Sequence, residues 1–221
     1  MINFKYFIKG FTTIRNVGSP AVALGASFIA IGALLKNLGF SIQESIFSTF
    51  LTYALPGSLV MAESMFLGAS LINIFVAVWL VNARLYPMTV SLMPLLIHDS
   101  QPKWKYYLSC HFIAVSSWLI MKENFNKIEK ENRIDFWIGI GTATWSIAIF
   151  STIIGYLSSE YLNKDILIGL AIINPIYFIC MMTGAMKTLQ INLSIIFGAI
   201  LGPSLYSVSY THLTLPTIYS V

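Results

Sequence analysis

The sequence predicts an all-α integral membrane protein of about seven transmembrane helices, some of them interrupted by proline or glycine. Three observations carry this expectation. The 221 residues are 57% hydrophobic and 10% charged, where a soluble domain carries roughly 25% charged residues. Mean hydropathy is +0.75. Apolar stretches long enough to cross a hydrocarbon core, about 20 residues each, recur along the whole chain and leave no room for a separate soluble domain.

Charge and cysteine usage narrow the class further. The net charge of +4 does not point to nucleic acid, because the basic residues sit in short clusters between apolar runs, as topology signals do. Cys110 and Cys180 lie inside apolar runs away from any CxxC or Cys/His cluster and read as small apolar filler. No metal or other cofactor is expected, and membrane lipids are an expected partner.

Residues 1–16 read as an N-terminal amphipathic segment. Phe4, Phe7, Ile8 and Phe11 with Lys5, Lys9 and Arg15 suit a helix on an anionic membrane surface, and the apolar core and cleavage site of a signal peptide are lacking. Residues 17–206 form the transmembrane domain. Residues 207–221 read as a non-native tail: VSYTHLTLPTIYSV, from 208, has no helical periodicity, is interrupted by Pro216, and resembles translated adapter sequence.

The first span, 19–39, opens on Ser19-Pro20 as N-cap and first-turn proline and closes at Gly39. Its Ala21, Gly25, Ala26, Ala30, Gly32 and Ala33 make a small-residue surface for a second helix. The second span, 41–65, starts at a capping box, Ser41 to Glu44, and is broken at Tyr53-Ala54-Leu55-Pro56-Gly57-Ser58, where proline removes a backbone hydrogen bond. The third stretch, 69–97, is longer than one crossing needs and should kink at Asn82-Ala83-Arg84-Leu85-Tyr86-Pro87. The fourth span, 104–121, has Trp104, Tyr106, Tyr107 and Trp118 at its two ends as an aromatic belt. After the charged segment KENFNKIEKENRID come spans at 134–157, 166–182 and 189–206. With the N-terminus inside, Lys5, Lys9, Arg15, Lys122, Lys127, Lys130, Arg133 and Lys187 face inward against Lys36, Lys103, Lys105 and Lys164, the excess that a cytoplasmic N-terminus requires.

No HExxH, GxSxG or ligand-spaced cluster of His and carboxylates occurs, so an enzyme is not expected. Broken helices instead free N–H and C=O groups that can bind polar ligands away from water. Arg84 stands out because a charge at mid-span costs at least about 2.5–3.5 kcal/mol on insertion scales. It can anchor a carboxylate, with Asn82 beside it, or it can bond Glu63, backbone carbonyls or lipid phosphate. The substrate-binding candidates are therefore Arg84, Asn82, Pro56, Gly57, Ser58, Asn174 and Pro175, the last two breaking the sixth span as Pro56-Gly57 break the second. Glu63, if buried, and His111 are the proton-coupling candidates. Each also has a plain structural reading, Glu63 at a helix end in water or headgroups and His111 in a hydrogen-bonded helix contact.

Gly10, Gly18-Ser19-Pro20, Gly25, Pro56-Gly57-Ser58, Asn82-Ala83-Arg84, Tyr86-Pro87, Trp137-Ile138-Gly139, Trp145, Gly155 and Asn174-Pro175 together resemble the AzlC family, large subunits of bacterial branched-chain amino acid exporters. The resemblance implies secondary transport of valine, leucine, isoleucine and also methionine out across the inner membrane, with a small AzlD-type membrane subunit as partner. The alternative is a non-transporting membrane scaffold that assembles a partner through its small-residue faces.

Overall fold

The computed structural model describes residues 2–16 and 18–161 and individual positions among 163–204. The expected spans at 166–182 and 189–206 are described only in part. Asn174, Pro175, Cys180, Lys164, Lys187 and the 207–221 tail lie outside the described residues. The chain divides into two compact units, Met1–Pro175 and Ile176–Val221. In the second, residues 195–202 are helical. The first holds all the elements discussed below, and no strand occurs among the described residues.

Helix α9, Arg133–Ser158, is the axis on which the first unit is built. Its 26 residues span about 39 Å at 1.5 Å per residue, more than the roughly 30 Å of a hydrocarbon core. Helices α1 (Phe4–Asn16) and α2 (Gly18–Asn37) pack in succession along it through reciprocal glycines. A Cβ on Gly10 would overlap the carbonyl of Phe136, and one on Gly139 the carbonyl of Phe7. Gly32 stands in the same relation to the carbonyl of Thr152, and Gly155 to that of Ile29. Backbones come this close only where neither helix presents a side chain. The small-residue surface expected on α2 thus has its partner, and the N-terminal amphipathic helix has one in addition to any membrane surface. Helix α2 begins one residue before the expected N-cap, Ser19, and ends as expected: Gly39 takes φ +87° and Phe40 N–H donates to the Leu35 carbonyl at 3.0 Å, a glycine C-terminal cap.

Two ion pairs mark the two ends of α9. At one, Lys36 Nζ lies 2.9 Å from Glu160 Oε1, and Tyr156 OH donates to the Phe40 carbonyl at 2.9 Å. The lysine holds the exposed Glu160 carboxyl below the usual carboxylate range. At the other end Lys105 Nζ lies 2.8 Å from Asp135 Oδ1, both side chains fully buried. Asp135 Oδ2 accepts the Asn3 N–H at 3.0 Å, and Lys105 also donates to Gln101 Oε1 at 2.8 Å.

Between these ends the expected second span is a hairpin of helices α3 (Ile42–Thr52) and α4 (Leu55–Phe66). Helix α3 leaves the Lys36 end through the expected capping box: Ser41 N–H donates to Glu44 Oε2 at 2.7 Å and Glu44 N–H to Ser41 Oγ at 3.3 Å. It runs to the middle of α9, where the Phe50 carbonyl meets Trp145. Helix α4 then turns back. Ala62 packs on Ile31 and Leu35, and Met65 and Phe66 border one pocket with Leu38, Phe40 and Glu44.

Helices α5 (Leu71–Asn82) and α6 (Leu85–Leu96) form one stretch bent by 49° at the predicted kink. It begins near the Lys36 end, passes Gly57 at Asn82, and reaches the Asp135 end, where Arg133 Nη1 donates to the Leu95 carbonyl at 3.2 Å. The expected fourth span is again a hairpin, α7 (Lys103–Ser109) and α8 (Val115–Asn124), turning through a short 3-10 helix at Cys110–Phe112. Lys105 at its base pairs with Asp135, its tip places Phe112 against Gly141, and Phe125, just past α8, lies under the Arg133 guanidinium at 5.3 Å. Trp118 Nε1 donates to Ser91 on α6 at 3.0 Å.

These contacts correct the topology read from the sequence. The count of seven spans is not confirmed: among the described residues two helices are long and apolar enough to cross a membrane, or three with the bent pair α5–α6. Lys103 and Lys105 belong to the same end as Lys122, Lys127, Lys130 and Arg133, since Lys105 bonds Asp135 and Gln101 Nε2 donates to the Glu131 carbonyl. The aromatic residues of 104–118 therefore do not bracket a crossing. Periodicity and length alone do not distinguish a helix that crosses from one that turns back.

The order is now a repeat. A helix passing toward the Lys36 end (α2) is followed by a hairpin returning to that end, and a stretch passing the other way (α5–α6) by a hairpin returning to the Asp135 end.

Candidate functional site

The two hairpin tips meet at the middle of α9. The α3–α4 tip is made by Tyr53, the one described non-glycine residue with positive φ (32°), and by Ala54 in extended conformation. A left-handed non-glycine residue is uncommon and costs of order 1–3 kcal/mol. It lets the chain reverse within two residues: Tyr53 N–H closes α3 on the Thr49 carbonyl at 3.2 Å, and α4 starts with Pro56 in its first turn. The break leaves the last carbonyls of α3 and the first N–H groups of α4 without their helical partners.

The opposite tip supplies the lid of this break. His111 Nε2 bonds the Phe50 carbonyl at 3.0 Å, and Trp145 Nε1 donates to the same oxygen at 3.3 Å. Ring centroids lie 6.4 Å apart for Tyr53 and His111, 6.2 Å for His111 and Trp145, and 4.6 Å for Phe50 and Trp145. Ala114 joins Tyr53, Leu24, Phe28 and Ala148 in one apolar cluster. The Tyr53 hydroxyl is buried with no hydrogen-bond partner.

Polar atoms around the break are left without partners. Ser48 Oγ, Ser58 Oγ and Asn82 Oδ1 are buried with no hydrogen bond, where each such atom costs about 1–3 kcal/mol. Asn82 and Gly57 are brought together: a Cβ on Gly57 would stand 2.6 Å from Asn82 Nδ2 and 2.7 Å from Oδ1. Buried groups kept unpaired at one break are what a site for a polar ligand needs.

The sequence candidates divide accordingly. Pro56, Gly57, Ser58 and Asn82 converge, and His111 sits at the tip contact. Arg84 is the N-terminal cap residue of α6, exposed, and no ion pair to Glu63 or another carboxylate occurs for it among the described residues. Glu63 is exposed on α4. Asn174 and Pro175 lie outside the described residues. Sequence reasoning did not single out Phe50, gave Tyr53 only as part of the break and Trp145 only in the family resemblance, and missed the α7–α8 break, which has neither proline nor glycine. The available signal there was Ser117, whose Oγ accepts the Ala114 N–H at 3.0 Å and so starts α8. A separate cavity of about 430 Å³ lies at the Asp135 end, lined in part by His98, Asp99, Gln101 and Lys103; it holds none of the candidates.

A bundle whose helices break at mid-length around unpaired polar groups, with apolar spans on either side, defines a helical membrane protein with an internal polar site. Among known families, the AzlC protein family model matches residues 20–162. The chain belongs to the AzlC family. No curated protein and no solved structure matches it.

Proposed function

We propose that this chain is a secondary transporter that exports neutral branched-chain amino acids (valine, leucine, isoleucine, and also methionine) across a bacterial inner membrane, working with a small AzlD-type subunit. The observation that carries the reading is the convergence of the α3–α4 break and the α5–α6 bend on buried, unpartnered Ser58 Oγ and Asn82 Oδ1. AzlC membership supports the substrate class and the partner that the family resemblance implies. In this reading α3–α4 and α7–α8 re-enter the membrane from opposite faces, and the tip contact between His111 and Phe50 is the closed gate. The Asp135 end, with Lys5, Lys9, Lys103, Lys122, Lys127, Lys130 and Arg133, faces the cytoplasm. His111 is the proton-coupling candidate that lies at the gate.

A scaffold would use small-residue faces to hold a partner, but the glycine faces of α1 and α2 are already covered by α9. Such a protein also has no use for unpaired polar atoms at its centre.

Efflux of labelled valine, isoleucine and methionine from vesicles holding the chain and its partner tests the reading. Asn82→Ala is expected to lower efflux severalfold, in line with losing a hydrogen bond of about 0.5–1.5 kcal/mol to the substrate, whereas Arg84, exposed at the cap of α6, takes the lipid-phosphate role and Arg84→Ala should leave efflux nearly unchanged. Undiminished efflux from folded Asn82→Ala protein would remove Asn82 from the site, a large loss in Arg84→Ala would restore Arg84 as a carboxylate anchor, and no efflux of any of the three from folded wild-type protein would remove the transport reading.

A further inference from the structure

We infer that the α3–α4 tip is a zwitterion clamp, in which the start of α4, with Ser58, holds a carboxylate and the end of α3 holds an ammonium group. The inference rests on the transport reading and adds which atoms select the cargo.

The polarity follows from the direction of the two helices. Helix α3 ends and α4 begins on either side of Tyr53-Ala54, so the negative end of one helix dipole and the positive end of the other lie two residues apart. At the start of α4 no side chain caps the helix, and Pro56 has no N–H. The N–H groups of Leu55 and Gly57 remain, pointing out of the first turn. Gly57 carries no side chain to screen them. Ser58 is 1% exposed and its Oγ has no partner. A helical side chain leans toward the helix N-terminus, which brings this hydroxyl back over the uncapped turn. The Asn82 amide closes the same notch against Gly57. The Ser58 hydroxyl and the two N–H groups are donors without acceptors beside a positive helix end, which fits a carboxylate, and the unpartnered Asn82 Oδ1 is an acceptor in the same notch.

On the other side of the tip, the Phe50 carbonyl is occupied by His111 and Trp145, while the carbonyls of Leu51 and Thr52 accept no hydrogen bond among the described residues. Carbonyl oxygens at a helix C-terminus fit an ammonium group. An α-amino acid bears both charges on one carbon, which suits two half-sites separated by a two-residue turn. An amine lacks one half and an oxo acid the other.

Ser58→Ala separates this proposal from a structural role. Because the hydroxyl is unsatisfied in the ligand-free protein, its removal is expected to leave the melting temperature unchanged or raise it. It is also expected to weaken the stabilisation by L-valine of the full chain with its partner about tenfold in half-saturating concentration, one charge-assisted hydrogen bond's worth. Isobutylamine and 3-methyl-2-oxobutanoate should each compete with labelled valine far more weakly than leucine does. An unchanged valine response in Ser58→Ala, or a lowered melting temperature with unchanged response, overturns the carboxylate half while export by the wild type stands. Competition by the oxo acid equal to that of leucine overturns the ammonium half. If folded wild-type protein with its partner neither binds nor exports valine, leucine, isoleucine or methionine, the transport reading falls and the clamp falls with it.

Discussion

Lys105→Met lowers the stability of the protein by about 3–5 kcal/mol, because it leaves Asp135 as an uncompensated charge inside the fold. Both side chains are fully buried at 2.8 Å, so solvent screens neither. The carboxylate keeps only the Asn3 N–H at 3.0 Å as a described partner, which one backbone dipole cannot make equal to an ammonium. Asp135→Asn should destabilise as well, because the buried Lys105 ammonium loses the Asp135 charge and the amide presents its NH2 to one of the two donors, Lys105 Nζ and Asn3 N–H, that the two carboxylate oxygens accept from. The double variant Lys105→Met/Asp135→Leu should recover part of the loss, because replacing a buried pair with apolar side chains is often neutral. Thermal melts of the three variants in detergent measure this, and additive losses in the double variant would show that the two groups do not act as a pair. The loss should be local at first: the pair ties the base of α7 and the start of α1 to the first turn of α9, so proteolysis at the Asp135 end should rise before the Lys36 end yields.

Gly155→Val has the second large effect. A Cβ there overlaps the backbone of Ile29, and backbone cannot rotate away as a side chain can. Helices α2 and α9 must separate, which costs at or above the roughly 1–3 kcal/mol of an overpacked core and also breaks the matching contact at Gly32. Gly169→Ala is the control: nothing lies within 4 Å of a Cβ at Gly169, and alanine gains up to about 1 kcal/mol of helix propensity. A lowered melting temperature for Gly155→Val beside an unchanged or raised one for Gly169→Ala is the expected pair of results. Equal behaviour of the two would mean that the close approach of α2 and α9 does not limit stability.

The sequence carried the local events well because their causes are local. Gly39, the Ser41–Glu44 capping box, the break ahead of Pro56 and the bend ahead of Pro87 each depend on the conformational limits of a few neighbouring residues. Pairings at a distance were not legible. That Lys105 meets Asp135, thirty positions on, depends on α7–α8 turning back, and nothing in the apolar run from 104 to 121 distinguishes a turn from a crossing. The candidate site was legible where polar residues interrupt apolar runs, at Ser58, Asn82 and His111. It was hidden where the proposed binding atoms belong to the backbone, since the carbonyls of Leu51 and Thr52 carry no side-chain signature. Tyr53 was hidden for a related reason: its role comes from a φ angle that its chemistry disfavours.

The two opposed hairpins rest on one helix, α9, and touch each other at its midpoint. Loosening one hairpin would uncover the meeting point to one side while the other hairpin still seals it. Seen from either face the machinery is therefore of the same kind, a helix pair dipping to the same depth. Under the transport reading, nothing in such a two-sided arrangement favours outward over inward passage. The direction of flow is then set by the driving gradient and by which hairpin is the easier to lift, so weakening the Asp135 anchor of α7–α8 should bias the resting protein toward opening on that side.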